Sequence, residues 1–273
     1  MDFTGQTALV TGASTGIGAE FARELAARGA DLIMVARRED KLQALAAELA
    51  RDHDARVDVV AVDLGRPGAG AELAARVDAL GRQVDVLVNN AGFATHGDVT
   101  DADLPRLLEE VQLNCATVVD LTARFLPAMT ARRSGVIINV ASVAGFLPVP
   151  HMAVYGATKA FVLSFTEALW AETRPTGVTV RALCPGATDT PFFDVVGAEE
   201  AAVGKRRTPE QVVATALGGL RRSGPAVIDG RRNTLVSLMA RYLPTRIVIG
   251  IAERSVRARN RDHTRSAGAA SSR

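Results

Sequence analysis

The sequence predicts an α/β protein built as one doubly wound parallel sheet of about seven strands with helices on both faces. Three observations carry this expectation. Short β-branched runs alternate with longer alanine-rich stretches, which is how βαβ units read. Most of the runs are continuously apolar, as strands covered on both faces must be. The first run leads through a glycine-rich turn straight into a helical pattern.

Taken in order, the strands are TALVTG (7–12), DLIMVA (31–36), VDVVAVDL (57–64), VDVLVNN (84–90), GVIINVAS (135–142), VTVRALCPG (178–186) and PAVID (225–229). Helical periodicity fills the intervals at 16–28, 39–51, 69–80, 103–132, 153–172 and 209–222. Right-handed crossovers between successive parallel strands then leave an open sheet. No internal repeat and no interdomain linker interrupts the pattern.

The composition narrows the function classes. Of 273 residues 48% are hydrophobic and only 4% aromatic, which favours close helix-on-sheet packing over an aromatic-rich sandwich. Cys115 and Cys184 make neither a metal spacing nor a disulfide framework, and the apolar run begins too early for a signal peptide, so a reducing cytoplasm is expected. The net charge of +2 is uneven: Arg231 to Arg273 holds ten arginines against Glu253 and Asp262, a surplus of +8 that leaves −6 for the rest. No nucleic-acid partner is expected. The reading divides the chain into a binding and catalytic domain at 1–230, a basic amphipathic helical extension at 231–260 and a polar tail at 261–273. Interrupted by Arg241, Pro244 and Arg246, the extension is too broken to span a bilayer, and suits closing over the main domain, peripheral membrane contact or a partner subunit.

The turn TGASTGIG puts Gly12, Gly16 and Gly18 between strand and helix, with Ser14, Thr15 and Ile17 among them. Glycines there let the backbone approach a pyrophosphate, and the helix N-terminus offers free N–H groups and a positive dipole end, the Rossmann-like arrangement for a dinucleotide. The second strand ends in Ala36, where an acid would select NAD, followed by Arg37 and Arg38. Two cations at a helix start are unfavourable unless an anion joins them, so a 2′-phosphate and NADP(H) are expected, with NAD(H) disfavoured.

In VYGATKAF, Tyr155 and Lys159 stand one helical turn apart and share a face. An ammonium beside a phenol favours the phenolate; bringing the phenol to about 7 takes roughly 4 kcal/mol, more than one lysine supplies, so a second positive charge is called for. The strand ending at Ser142 directs that serine to the same crevice.

With TGxxxGxG at the start, NNAG at 89–92 and Tyr-x-x-x-Lys at 155–159, residues 5–230 resemble the short-chain dehydrogenase/reductase family. The resemblance implies that Tyr155 transfers the proton, Ser142 hydrogen-bonds the substrate carbonyl, and Lys159 binds the nicotinamide ribose and lowers the Tyr155 pKa, the oxidised nicotinamide ring being the second positive charge. Asn114 then holds a proton-relay water. Asp63 with Leu64 contacts adenine, Asn89, Ala91 and Gly92 flank the cofactor, Pro185 and Gly186 turn beside the nicotinamide, and Thr188 or Thr190 binds its carboxamide.

The implied activity is NADPH-dependent reduction of a ketone or aldehyde to an alcohol, or the reverse. The chain loosely resembles the branch with 3-oxoacyl reductases and hydroxysteroid dehydrogenases. Phe93, Phe146, His151, Phe192 and Phe193 are expected around an apolar substrate, with a lid over 194–204. The alternative is a sensor or scaffold that binds NADP(H) without turnover, which would normally lack Tyr155 or Lys159. The helices at 103–132 and 153–172 are apolar enough to pair subunits as a homodimer or homotetramer.

Overall fold

Seven apolar strands form one parallel sheet: β1 (Thr7–Thr11), β2 (Asp31–Ala36), β3 (Val57–Ala61), β4 (Val86–Asn89), β5 (Gly135–Val140), β6 (Val178–Cys184) and β7 (Ala226–Ile228). Their order is β3-β2-β1-β4-β5-β6-β7, every pair parallel. The chain reverses its direction of travel across the sheet between β1 and β4, and at such a switch a crevice opens beyond the strand C-termini. The computed structural model describes residues 1–192 and 206–253.

The period of two along each strand sorts the core into two layers. Ala8 and Val10 of β1 face α1 (Gly16–Ala26), α2 (Glu39–His53) and α7 (Pro209–Gly219), where Phe21, Leu25, Leu42 and Val213 are buried. Leu9 between them faces the opposite layer, which holds Leu73 of α3 (Ala69–Ala79), Leu121 and Met129 of α5 (Thr117–Ala131) and Leu169 of α6 (Ala153–Thr173). Transfer of these side chains from water is the main favourable contribution to folding.

Two features differ from the sequence reading, the division of one helix and an added 3₁₀ turn. The helix expected at 103–132 is divided: α4 (Leu104–Val111) passes through a π turn at Gln112–Ala116 before α5 begins. One extra residue in a turn is invisible to a periodicity of 3.6. In keeping with the interruption read at Pro244, the described part of the C-terminal extension is two pieces, α8 (Arg231–Tyr242) and a helical run at 245–253, the proline ring being unable to continue a helix, while 254–260 and the tail at 261–273 lie outside the described residues. The 3₁₀ turn at Val143–Phe146, which the sequence did not announce, packs on α6.

A buried polar bracket fixes α5 and α6 against the sheet. Asn89 donates to Asn139 Oδ1 at 2.9 Å and Thr122 Oγ1 at 3.2 Å, and Asn139 donates to Thr166 Oγ1 at 3.0 Å. All four side chains are almost wholly buried. Replacing Asn139 by Ala leaves Asn89 and Thr166 short of partners; urea denaturation should show a loss of about 1–3 kcal/mol, and an unchanged midpoint would mean that the bracket is not what orders α6.

Candidate active site

The ends of β1, β2, β4, β5 and β6 open into a cavity of about 1710 Å³. Gly12 and Gly16 line its floor with φ of +67° and +58°, left-handed values that a side chain would strain. A Cβ at Gly18 would stand 2.3 Å from the Gly12 carbonyl oxygen, so the third glycine lets α1 close onto β1 and does not itself reach the cavity. Ser14, Thr15 and Ile17 line the same floor.

Arg37 and Arg38 stand exposed at the cavity's edge, with Lys41 a turn later. Arg38 reaches Ser14 Oγ and Thr15 Oγ1, both at 3.4 Å. None of the three cations has a carboxylate within ion-pair distance among the described residues. Asp63, Leu64, Ala91 and Gly92 complete this end. The glycine floor, the free N-terminus of α1 and the unpaired guanidiniums fit a dinucleotide that carries an extra phosphate.

At the other end, Ser142, Tyr155 and Lys159 line one wall. Ser142 Oγ accepts from the Ala144 N–H at 3.1 Å and donates to the Pro185 carbonyl at 3.5 Å, and it stands close enough to Tyr155 to favour the phenolate. Lys159 is 6% exposed; its Nζ donates to the Val140 carbonyl at 2.8 Å and lies 5.7 Å from the centre of the Tyr155 ring. The serine and tyrosine hydroxyls thus converge where a carbonyl oxygen can accept from both.

Within the chain alone, burial works against an acidified phenol. Burial pushes Tyr155 up to about 12, with the Ser142 hydrogen bond opposing, and burial pulls Lys159 from 10.5 down to about 8. Lys159 spends its ammonium on Val140, and the chain's own groups leave the tyrosine a protonated donor at neutral pH.

Several expected residues lie behind the cavity. Asn89 belongs to the sheet bracket; its neighbour Asn90, which the sequence reading passed over, lines the cavity and donates to the Thr11 carbonyl at 2.8 Å. In an NN pair only the strand's parity distinguishes the inward side chain from the crevice one. Asn114, in the π turn, grips Phe93: Oδ1 accepts from the Phe93 N–H at 3.2 Å, and Nδ2 donates to its carbonyl at 2.9 Å and to Thr158 at 3.1 Å. Its side-chain amide thus bonds the Phe93 backbone and the Thr158 hydroxyl and does not line the cavity.

Of the expected substrate wall, Phe93 and Phe192 line the cavity, Phe192 with its ring centroid 5.8 Å from that of Tyr155. Phe146 packs instead into a core cluster with Val162 and Leu163, and His151 turns to Asp98 at 2.6 Å. Neither lines the cavity. Phe193 and the proposed lid lie outside the described residues. Pro185, Gly186, Thr188 and Thr190 lie along the edge beyond β6. There the chain re-enters at Arg207, bridged to Thr188 and ion-paired at 2.7 Å with the fully buried Asp229. The C-terminal extension closes over the main domain, as one sequence reading had it, and Val236, Met239, Leu243, Val248 and Ile251, which the sequence reading did not place at the site, contribute to the wall. Their apolar spacing was legible; the surface they cover was not.

Comparison with known proteins agrees with this geometry. The family model for short chain dehydrogenases matches residues 6–201. The chain belongs to the short-chain dehydrogenase family. A very-long-chain 3-oxoacyl-CoA reductase from Phaeosphaeria nodorum is 34% identical over 228 residues, covering 81% of this chain and 65% of that protein, so the chain spans just under two thirds of that relative's length. A short-chain dehydrogenase from Sphingobium yanoikuyae, solved in complex with NADPH, is 36% identical with a TM-score of 0.77, covering 82% of this chain and 87% of that one. A 7β-hydroxysteroid dehydrogenase structure is 29% identical with a TM-score of 0.83, covering 93% and 100%.

The buried lysine of this short-chain dehydrogenase makes a measurable signature. Because the folded pKa lies below the unfolded one, the unfolded chain binds more protons between about pH 8 and 10.5, and stability from this site rises with pH across that window. In urea denaturation without dinucleotide, the wild type should gain about 3 kcal/mol relative to Lys159→Met between those pH values. A difference that stays flat with pH would show that the ammonium is not desolvated.

Proposed function

We propose that the protein is an NADP(H)-dependent oxidoreductase that interconverts an apolar ketone or aldehyde with the corresponding alcohol. The observation that carries this reading is the paired hydroxyls of Ser142 and Tyr155, facing a cavity whose far end holds the glycine floor and Arg37 and Arg38. The NADPH complex of the Sphingobium relative supports the choice of cofactor. Gly12, Gly16 and the α1 N-terminus would hold the pyrophosphate, and Arg37 and Arg38 the 2′-phosphate. Bound there, the dinucleotide supplies or accepts the hydride.

The chain's own residues supply the rest. Ser142 Oγ–H donates to the carbonyl oxygen and polarises it. Tyr155, protonated at neutral pH, donates its proton to the alkoxide as that oxygen becomes negative. Lys159 places its ammonium beneath the tyrosine ring and lends positive charge to the phenolate that remains. Phe93, Phe192, Leu147, Met152 and the α8 stripe exclude water and favour an apolar substrate, in keeping with the steroid and long-chain names of the relatives. A scaffold without turnover is disfavoured because Ser142, Tyr155 and Lys159 are all present at one wall. Leu104, Leu108 and Val111 on α4 and Phe161 on α6 are exposed, which suits pairing between subunits, and the two free cysteines suit a reducing cytoplasm.

Tyr155→Phe should lower NADPH-dependent turnover of a bulky apolar ketone by about 10²–10⁴-fold while NADPH affinity holds, measured by absorbance loss and fluorescence titration; full turnover in that variant would remove the tyrosine from the chemistry. Replacing Arg37 and Arg38 together by Ala should weaken NADPH binding by roughly tenfold or more and leave NADH little changed. Equal weakening of both cofactors would refute the phosphate assignment.

A further inference from the structure

Helix α8 presents apolar residues on two faces. Val236, Met239, Ala240 and Leu243 follow helical spacing along the cavity wall. Leu235, Leu238 and Tyr242 form a second stripe that points to solvent, 59%, 48% and 79% exposed. The run at 245–253 repeats the division: Val248 and Ala252 line the cavity, and Ile247 and Ile249 are exposed. A segment apolar on more than one face is stable when each face is covered, and an exposed patch of this kind marks a contact surface.

The charges select what covers it. Arg241 and Arg246 are exposed outside the cavity, whereas Arg231 and Arg232 line it, and none of the four has a carboxylate within ion-pair distance among the described residues. Glu253 is the sole acid in 231–253, and the sequence beyond adds six arginines against Asp262. Self-pairing in a symmetric dimer would set this cationic segment against its own copy. Anionic lipid supplies the counter-charge, and no helix among the described residues is long and apolar enough to cross a membrane. We infer that α8 and the run at 245–253 lie flat on an anionic lipid surface, with Leu235, Leu238, Tyr242, Ile247 and Ile249 in the headgroup boundary and the arginines on lipid phosphates. On the cavity reading given above, the same helix then separates the lipid from the substrate wall.

Co-sedimentation of the full chain with vesicles tests this directly. The protein should pellet with an equimolar mixture of phosphatidylcholine and phosphatidylglycerol at low salt and stay in solution with phosphatidylcholine alone. Leu238→Glu/Tyr242→Glu/Ile249→Glu, whose residues do not line the cavity, should lose about tenfold or more in partitioning, with circular dichroism and NADPH affinity unchanged. Arg241→Gln/Arg246→Gln leaves the apolar stripe intact and should lose roughly tenfold. Wild-type protein that remains in the supernatant with the mixed vesicles would overturn the inference, as would either variant binding like the wild type. An oligomer, seen by light scattering, that the triple variant dissolves without loss of vesicle binding would assign the stripe to a second copy instead. Vesicle binding is read without turnover, so a failure of the reductase reading is seen separately, in the Tyr155→Phe assay.

Discussion

The hydrogen bond from Lys159 Nζ to the Val140 carbonyl, made almost out of reach of water, is the contact on which the site's geometry rests. It ties the first turns of α6 to the C-terminal end of β5 and so sets where Tyr155 can stand. A charged amine is buried here at a cost that only close polar contact offsets. The surroundings are cut to admit it. A Cβ on Gly92 would fall 2.8 Å from Asn114 Oδ1 and 3.6 Å from Lys159 Nζ, and one on Gly145 would fall 2.7 Å from the Lys159 carbonyl. The asparagine bracket below holds the same helix by Thr166, two turns further along.

The cavity has two chemically different ends because two different devices terminate its strands. At β1 and β2 the chain leaves the N-terminus of α1 and guanidiniums without carboxylate partners among the described residues, which suits an anion. At β5 and α6 it leaves the Ser142 and Tyr155 hydroxyls on one cavity wall, where both can turn to an incoming oxygen. The distinction is electrostatic: positive charge is solvent-facing and unpaired at one end, buried and committed at the other.

The polar residues that the sequence placed at the reaction centre fall into two groups in space. Ser142, Tyr155 and Lys159 face the cavity, whereas Asn114 fastens the Phe93 backbone behind it. Asn114 holds the Phe93 peptide on both sides, so the π turn that carries it serves to position the chain after β4. The extension at 231–253 has a comparable double character, being at once wall and outer surface.

The sequence by itself determined the parallel α/β architecture, the glycine floor and the Tyr155–Lys159 pair, because each is written in local spacing: alternation of periods, a turn that only glycine permits, and one helical turn between two side chains. Strand parity also separates Leu9 from Val10 without reference to any other element. Only the tertiary structure decided that Asn90, not Asn89, reaches the crevice, that His151 turns to Asp98 and that α8 closes over the cavity. It also decided how burial acts on the reacting pair, pushing the phenol up and the ammonium down, while the Val140 carbonyl, from a strand 19 residues away, holds the ammonium in place. Proximity along a helix can be read from the order of residues; desolvation depends on what the rest of the chain packs around them.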